Sequence, residues 1–529
     1  DILLLQYLKR DWKKIILWIL GIGVFSSGFV PAFVEITKGQ GLIGIYEILQ
    51  NPAMTSIGGP TPIETATDYT IGALYSHLML LFCGLFAMMM SALHIVGHTR
   101  KEEDLGILEL VHSFHIGRQA NSLAAVTEIV IINILLAIFI VWMMYSFDVE
   151  TISLEGSLLF GASIGMAGII GGAIALVLSQ IMPSSSGATG SSLAIIGLLY
   201  ILRAGTDISN VNLSLINPLG WTYLTYPFTE NNWMPLLYGL IFSTVMATIA
   251  FALEGARDLG AGYLPEREGR AYAKKSLLSI PGLFIRINRG VIIAWLIGFL
   301  ILGASYGSIY GDMESFISSS EIAQQMFTQS GVSIEESFTS TIMIVLMGLV
   351  CILPITIINK LFTVESRLYI SQLHATKVTR GQFYWTNVGL AIISSLLGIL
   401  SATIGLGGTA LSVMSDSTTM KIFDFIAAGF NFLPVVLFFV ALAALALGWF
   451  PKLGKIAYVY LIYSSILSYF SSIVDLPDWF LKTAIKSWIP RMQMEDFDAT
   501  IFITITAISM AMIIIGYIGY KSRDMVEGA

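Results

Sequence analysis

An all-α integral membrane protein of about twelve transmembrane helices, arranged as two parallel six-helix repeats, is the fold this sequence predicts. Three observations predict it: a composition that water does not tolerate, apolar runs of bilayer length, and a set of anchor residues that occurs twice. Of the 529 residues, 55% are hydrophobic and only 12% are charged, about half the charged share of a soluble domain. The mean hydropathy is +0.79. Lipid is the solvent that accepts such a chain. The net charge of −7 matters less than where the charges lie. Cys83 and Cys351 sit in apolar runs of opposite halves, which argues against a disulfide framework. The sequence opens on Asp1 rather than Met and shows no cleavable signal segment, so the chain is expected to continue upstream.

A helix needs about 20 apolar residues to cross roughly 30 Å of hydrocarbon. The first half supplies such runs near 14–34, 72–96, 123–146, 157–182, 191–206 and 233–254. The second supplies them near 290–311, 339–361, 383–407, 424–448, 454–474 and 499–520. The run at 191–206 is short and contains Arg203. Basic residues favour cytoplasmic loops. With the N-terminus inside, 22 of the 28 Lys and Arg residues are cytoplasmic, leaving only Lys38, Arg203, Lys421, Lys482, Lys486 and Arg491. Both termini are then cytoplasmic. The expected organisation is a first six-helix half (1–256), a basic cytoplasmic linker with an interfacial helix (257–289) and a second six-helix half (290–529). Outer segments follow the first helix of each half, at about 35–71 and 312–338.

Three anchors recur in order. Trp18–Gly21 matches Trp295–Gly298 at an offset of 277. Glu103, His112 and Arg118 match Glu365, His374 and Arg380 at 262, and Ala256-Arg257-Asp258 matches Ser522-Arg523-Asp524 at 266. Six helices return the chain to the same side, so the repeats are parallel and related about the membrane normal. A pathway between the halves is the natural expectation.

The loops joining the second and third helices of each half carry the densest polar pattern. The first contains Glu102, Glu103, Asp104, Glu109, His112 and Arg118, with Leu105, Leu108 and Val111 at helical spacing. Its acidic start and basic end suit the helix dipole. The second contains Glu365, Arg367, His374, Lys377 and Arg380. Each reads as a short amphipathic helix, either lying on lipid headgroups or docking a cytoplasmic partner. An anionic first turn suits acidic lipid poorly, and recurrence suits a two-fold partner, so docking is favoured. Ile2–Lys14 and Pro281–Arg289 read as interfacial helices that orient the first span of each half.

Within the spans, Gly161, Gly165, Gly168 and Gly172 make small-xxx-small patterns that permit close helix packing. Phe82, Phe86 and Met89 stripe the second helix, and Met343 and Met347 the eighth. They are candidates for a path taken by a greasy substrate, against the plainer reading of packing. Arg203 and Asp207 are four apart, so they either pair or mark a polar site in that path. Glu128 and Glu254 lie near the inner edge, where they are expected to snorkel. No nucleotide-binding G-x-x-x-x-G-K-[ST] and no zinc-spaced Cys/His cluster occurs. Intramembrane acids look too few for the proton relay of a secondary transporter.

His98-Thr99-Arg100-Lys101-Glu102-Glu103-Asp104-Leu105-Gly106, then Glu109-Leu110 and Ile116-Gly117-Arg118, resembles permeases of ATP-binding-cassette (ABC) exporters, in particular the polyketide-antibiotic, tetronasin-type exporters. Asn217-Pro218-Leu219-Gly220-Trp221, Arg257-Asp258-Leu259-Gly260-Ala261-Gly262, Asn51-Pro52-Ala53 and Gly58-Gly59-Pro60 agree. The second half departs, with a single Glu365 and no glycine after it. The resemblance implies two copies of a separate cytoplasmic ABC ATPase, with the loops seated on them as coupling helices. ATP and Mg would be bound by that partner, so this chain would be no enzyme and would carry no cofactor or metal. It implies export of a hydrophobic or amphipathic compound across a bacterial cell membrane, and no nucleic acid. Two rival readings are an ion-coupled secondary multidrug transporter and an ATPase-docking membrane sensor.

Overall fold

A computed structural model describes residues 2–39, 41–50, 55, 58–114, 116–265, 269–312, 334–414, 420–470, 477–492 and 495–525. Among them, no β-strand forms and eleven helical spans are long and apolar enough to cross a membrane. The protein is an all-α integral membrane protein. The chain divides into two compact units, Asp1–Gly269 and Arg270–Ala529.

In the first unit the spans are α1 (Ile2–Ser27), α2 (Ile71–His98), α3 (Ala120–Ser146), α4 (Leu154–Ile181), α5 (Ser185–Ser209) and α6 (Met234–Ala256). The separate interfacial helix expected at Ile2–Lys14 is instead the start of α1, because nothing between it and the span breaks a helix. The short run at 191–206 becomes a 25-residue helix. Ser184 caps it, accepting from the amide of Gly187 at 3.2 Å.

The second unit contains α7 (Ile280–Ser308), α8 (Ile334–Val350), α9 (Ile352–Ser366), α10 (Arg380–Val413), α11 (Ile422–Phe430), α12 (Leu433–Trp449), α13 (Ile456–Phe470) and α14 (Ala499–Ser522). Here too the expected interfacial segment merges into the span, with Pro281 in the first turn, where its missing N–H is harmless. Prolines explain the two divided spans. Pro354 cannot donate to the Val350 carbonyl and Pro434 cannot donate to that of Phe430, so α8 gives way to α9 and α11 to α12. The freed stretch at Asn431 is tied instead by its side chain to the Pro490 carbonyl, at 2.7 Å. The eleventh expected span, 454–474, is seen as α13, and its end at 471–474 lies outside the described residues. So do Asn51-Pro52-Ala53, His115 and most of the 312–338 outer segment.

The packing partners recur between units. The first span packs on the third in each (α1 on α3, α7 on α10), and the last packs on the fourth (α6 on α4, α14 on α12). The centre of the first unit is α4, packed by α2, α3 and α6. Its glycines make this possible. A Cβ at Gly161 would lie 2.8 Å from the Ala137 carbonyl oxygen, and one at Gly171 would lie 2.3 Å from that of Met88. Neither backbone could approach α4 past a side chain. Glu128 and Glu254 do not snorkel. Both are buried: Glu254 accepts from the Ser122 hydroxyl at 2.6 Å, and Glu128 meets histidines of α2.

Candidate functional site

The loop after α2 is not one amphipathic helix. It comprises two short helices, Arg100–Asp104 and Ile107–His112, joined at Gly106 with φ +72°. This left-handed turn is open to glycine without strain. In the second unit α9 runs to Ser366, and the chain turns at Leu368, φ +61°, before the short helix Ser371–His374. Gly106 and Leu368 each stand three residues after the repeated glutamate. The turn is therefore common to both loops, although only one has the residue suited to it.

The repeated acidic residues face inward. Glu103 is clamped by Arg257, the C-cap residue of α6, with both guanidinium Nη atoms on the two carboxylate oxygens at 2.6 and 2.8 Å. The Gly260 amide also donates to it. Glu365 is held in the same way by Arg523, the C-cap residue of α14, at 2.6 and 2.8 Å. A second arginine completes each clamp: Arg118 donates to the Arg257 carbonyl, and Arg380 to that of Arg523. Bidentate geometry of this kind is stiff as well as strong. Each clamp locks a loop to the ends of two spans, α2 and α6 in one unit and α9 and α14 in the other.

The neighbouring acids are also spent internally. Glu102 is buried between Arg10, at 2.8 Å, and the Tyr7 hydroxyl, at 2.8 Å. Asp104 accepts from the Ser185 amide at 2.6 Å, at the start of α5. Arg100 is fully buried and donates to the carbonyls of Pro183, Gly260 and Ala261. His112 and His374 are half-buried, and the latter packs on Phe383. What the loops turn outward is Glu109, Leu105, Leu110 and Phe114 in the first unit, and Arg367, Leu368, Tyr369 and Lys377 in the second. Leu110, Phe114 and Tyr369 are 70, 69 and 65% exposed. These apolar loop residues were missed by a reading that followed charge. Their signal was a large apolar side chain beside a turn, with no helical stripe to place it inside.

Of the residues suggested for a substrate path, Phe82 and Arg203 share a neighbour within the first unit: the Phe82 ring centroid is 6.4 Å from that of Tyr200, and the Arg203 guanidinium lies 4.9 Å over the same ring. Phe82, Phe86 and Met89 lie on the less buried face of α2, with Phe82 near Tyr200 and Phe86 near Phe25. Met343 and Met347 are 1% exposed and fill the core of the second unit. Arg203 and Asp207 pair inside the first unit at 3.4 Å. Asp207 also accepts from the hydroxyls of Ser214 and Tyr223, at 2.5 and 2.7 Å. The second unit has a cavity of about 200 Å³ lined by Ile344, Phe432, Leu467, Lys486, Arg491 and Glu495 among others.

Two like-built helical units, each with a clamped loop, define a duplicated polytopic membrane protein. The family described as the C-terminal domain of the multidrug efflux system permease Rv1217c matches residues 277–521. Along its length the chain is similar to the multidrug efflux system permease protein Rv1217c of Mycobacterium tuberculosis, with 25% identity over 528 residues, covering 99% of this chain and 94% of that protein.

Proposed function

We propose that this chain is the permease subunit of an ABC exporter, moving a hydrophobic or amphipathic compound outward on ATP hydrolysed by a separate cytoplasmic ATPase. The observation that carries the proposal is the clamped loop, present once in each unit with the same Glu–Arg geometry and topped by exposed apolar residues. Likeness to a multidrug efflux permease over nearly the whole chain supports it. In this reading the apolar tips are the contact and the clamps are the transmission. An ATPase pressing on Leu110 and Phe114 would move α2 and α6 as one body, because Glu103–Arg257 ties them together. Tyr369 and Leu368 would do the same for α9 and α14 through Glu365–Arg523. Two loops call for two ATPase copies.

The test is co-purification in mild detergent from cells expressing the native operon, followed by an ATPase assay. An ATPase should be recovered with the permease. It should be lost from a Leu110→Asp, Phe114→Asp, Tyr369→Asp triple variant whose thermal stability and size-exclusion profile match the parent. Recovery of the permease alone, or a triple variant that retains its ATPase, refutes the docking assignment. A second reading, ion-coupled transport, draws on one observation: His94, His98 and Glu128 place titratable groups together within α2 and α3. Transport that persists without ATP in proteoliposomes would favour it.

A further inference from the structure

The polar cluster inside the first unit is unlike the rest of the core. His94 and His98, one turn apart on α2, stack at 4.0 Å between ring centroids. Both aim Nε2 at the same Glu128 carboxylate oxygen on α3, at 2.9 and 3.7 Å. Asp11 of α1 brings a carboxylate oxygen to 2.5 Å from His98 Nε2. His94 and Glu128 are wholly buried.

The hydrogen bonds define which atoms are free. His98 Nδ1 donates to the His94 carbonyl at 2.9 Å, which leaves the lone pair of a neutral ring on Nε2. That lone pair then faces two carboxylates, an arrangement that needs positive charge between the groups. Arg10 pairs with Glu102 at 2.8 Å and reaches the same Asp11 oxygen at 3.4 Å, so part of the Asp11 charge is met, while Lys14 lies over the Trp18 ring at 4.4 Å. Among the described residues, no arginine or lysine forms an ion pair with Glu128. Among the described residues, Glu128 Oε1 is buried with no hydrogen-bond partner, which leaves acceptor capacity on the carboxylate that both rings face.

Nor does the scaffold need this cluster. By the repeat offsets of 262 and 277, His94, His98, Glu128 and Asp11 correspond to Thr356, Lys360, Leu390 and Asn288. The second unit builds the same helix packing without any of the four.

We propose that His94, His98 and Glu128, completed by Asp11, form a binding site for one divalent transition-metal ion of the zinc class, inside the first unit. The three principal ligand atoms lie within 4.8 Å of one another. The separations of 2.9 and 3.7 Å bracket the roughly 3.3 Å edge of a tetrahedron with bonds of about 2.0–2.1 Å, while the Asp11 oxygen, 2.5 Å from His98 Nε2, would draw back to admit the ion. Two imidazoles and two carboxylates favour zinc, cobalt or nickel over magnesium or calcium, which prefer all-oxygen sets. The His98 Nδ1–carbonyl bond is the second contact that orients a metal-bound imidazole. The site does not depend on the export reading.

The experiment uses the full-length chain, purified without a polyhistidine tag and stripped with a chelator. Zinc is returned and counted by mass spectrometry, and cobalt is titrated with visible absorption as the readout. One zinc per chain, a rise in melting temperature with zinc, and the intense visible bands of tetrahedral cobalt are expected. A His98→Gln, Glu128→Gln double variant should lose all three while melting like the stripped parent. Asp11→Asn should weaken zinc by about 10–100-fold. If the double variant does not fold, His94→Gln alone should abolish the cobalt bands. Failure to bind one ion per chain at micromolar zinc, leaving a proton as the shared charge, overturns the proposal. So does equal binding by the variants, which would mark an adventitious ion.

Discussion

Replacing Glu103 by Gln would remove one charge of a buried clamp and leave Arg257 facing a neutral amide. The Arg257 and Glu103 side chains are 7% and 3% exposed, so solvent cannot take over the lost interaction. Breaking a buried ion pair from one side costs about 3–5 kcal/mol. The lower end applies here, because Arg257 keeps the Gln180 side chain at 2.7 Å and the Ala261 carbonyl at 2.9 Å. For a unit of this size, about 3 kcal/mol corresponds to a fall of roughly 6–12 °C in melting temperature. The same argument applies to Glu365→Gln, since Arg523 keeps the Leu447 carbonyl at 3.1 Å. The assay is thermal unfolding in detergent for Glu103→Gln, Arg257→Gln and the double variant. The double variant should be far less damaged than the sum of the singles, with a coupling of about 3 kcal/mol. A coupling below about 0.5 kcal/mol would show that the clamp is a surface-like pair and that the loop is not locked to α2 and α6.

Two further outcomes rest on single residues. Leu368→Gly relieves a left-handed backbone at a side chain that resists it, so it should raise the melting temperature by the equivalent of about 1 kcal/mol; a fall would show that the exposed leucine has a local contact worth more than the strain. Lys486 is 4% exposed and, among the described residues, its ammonium has one hydrogen-bond partner, the Ser465 hydroxyl at 2.7 Å, so burial pushes its pKa below the ordinary lysine value of 10.5, with Cys351 opposing. The folded chain therefore gives up this proton at a lower pH than the unfolded chain does, and the penalty is full below the folded-state value and fades as pH rises from there toward 10.5. Lys486→Met should stabilise the protein at pH 7, and its advantage should shrink with rising pH. Melting curves across that range check it, and destabilisation at pH 7 would mean the lysine holds a structural contact.

The helical membrane class, the positions of the spans and the internal repeat were legible in the sequence. Hydropathy and periodicity are local properties, and a repeat is visible wherever two segments can be aligned. Even the clamp partners were there: Glu103 with Arg257 and Glu365 with Arg523 appear as separate repeat anchors, 154 and 158 residues apart. That they touch is a matter of tertiary packing. The acids of the first loop looked like a docking face because charge usually seeks water. The fold instead directs Glu102 and Glu103 inward, where arginines at distant helix ends neutralise them, and leaves Leu110 and Phe114 outside. Glu128 looked like a snorkelling residue for the same reason, since only the pairing of α2 with α3 brings His94 and His98 to it. Sequence by itself determined which segments are long and apolar enough to cross a membrane and that a set of anchors recurs along the chain. Only the tertiary structure decided which charges are partners, because the free energy of a buried charge depends on what faces it, and that neighbour comes from a remote part of the chain.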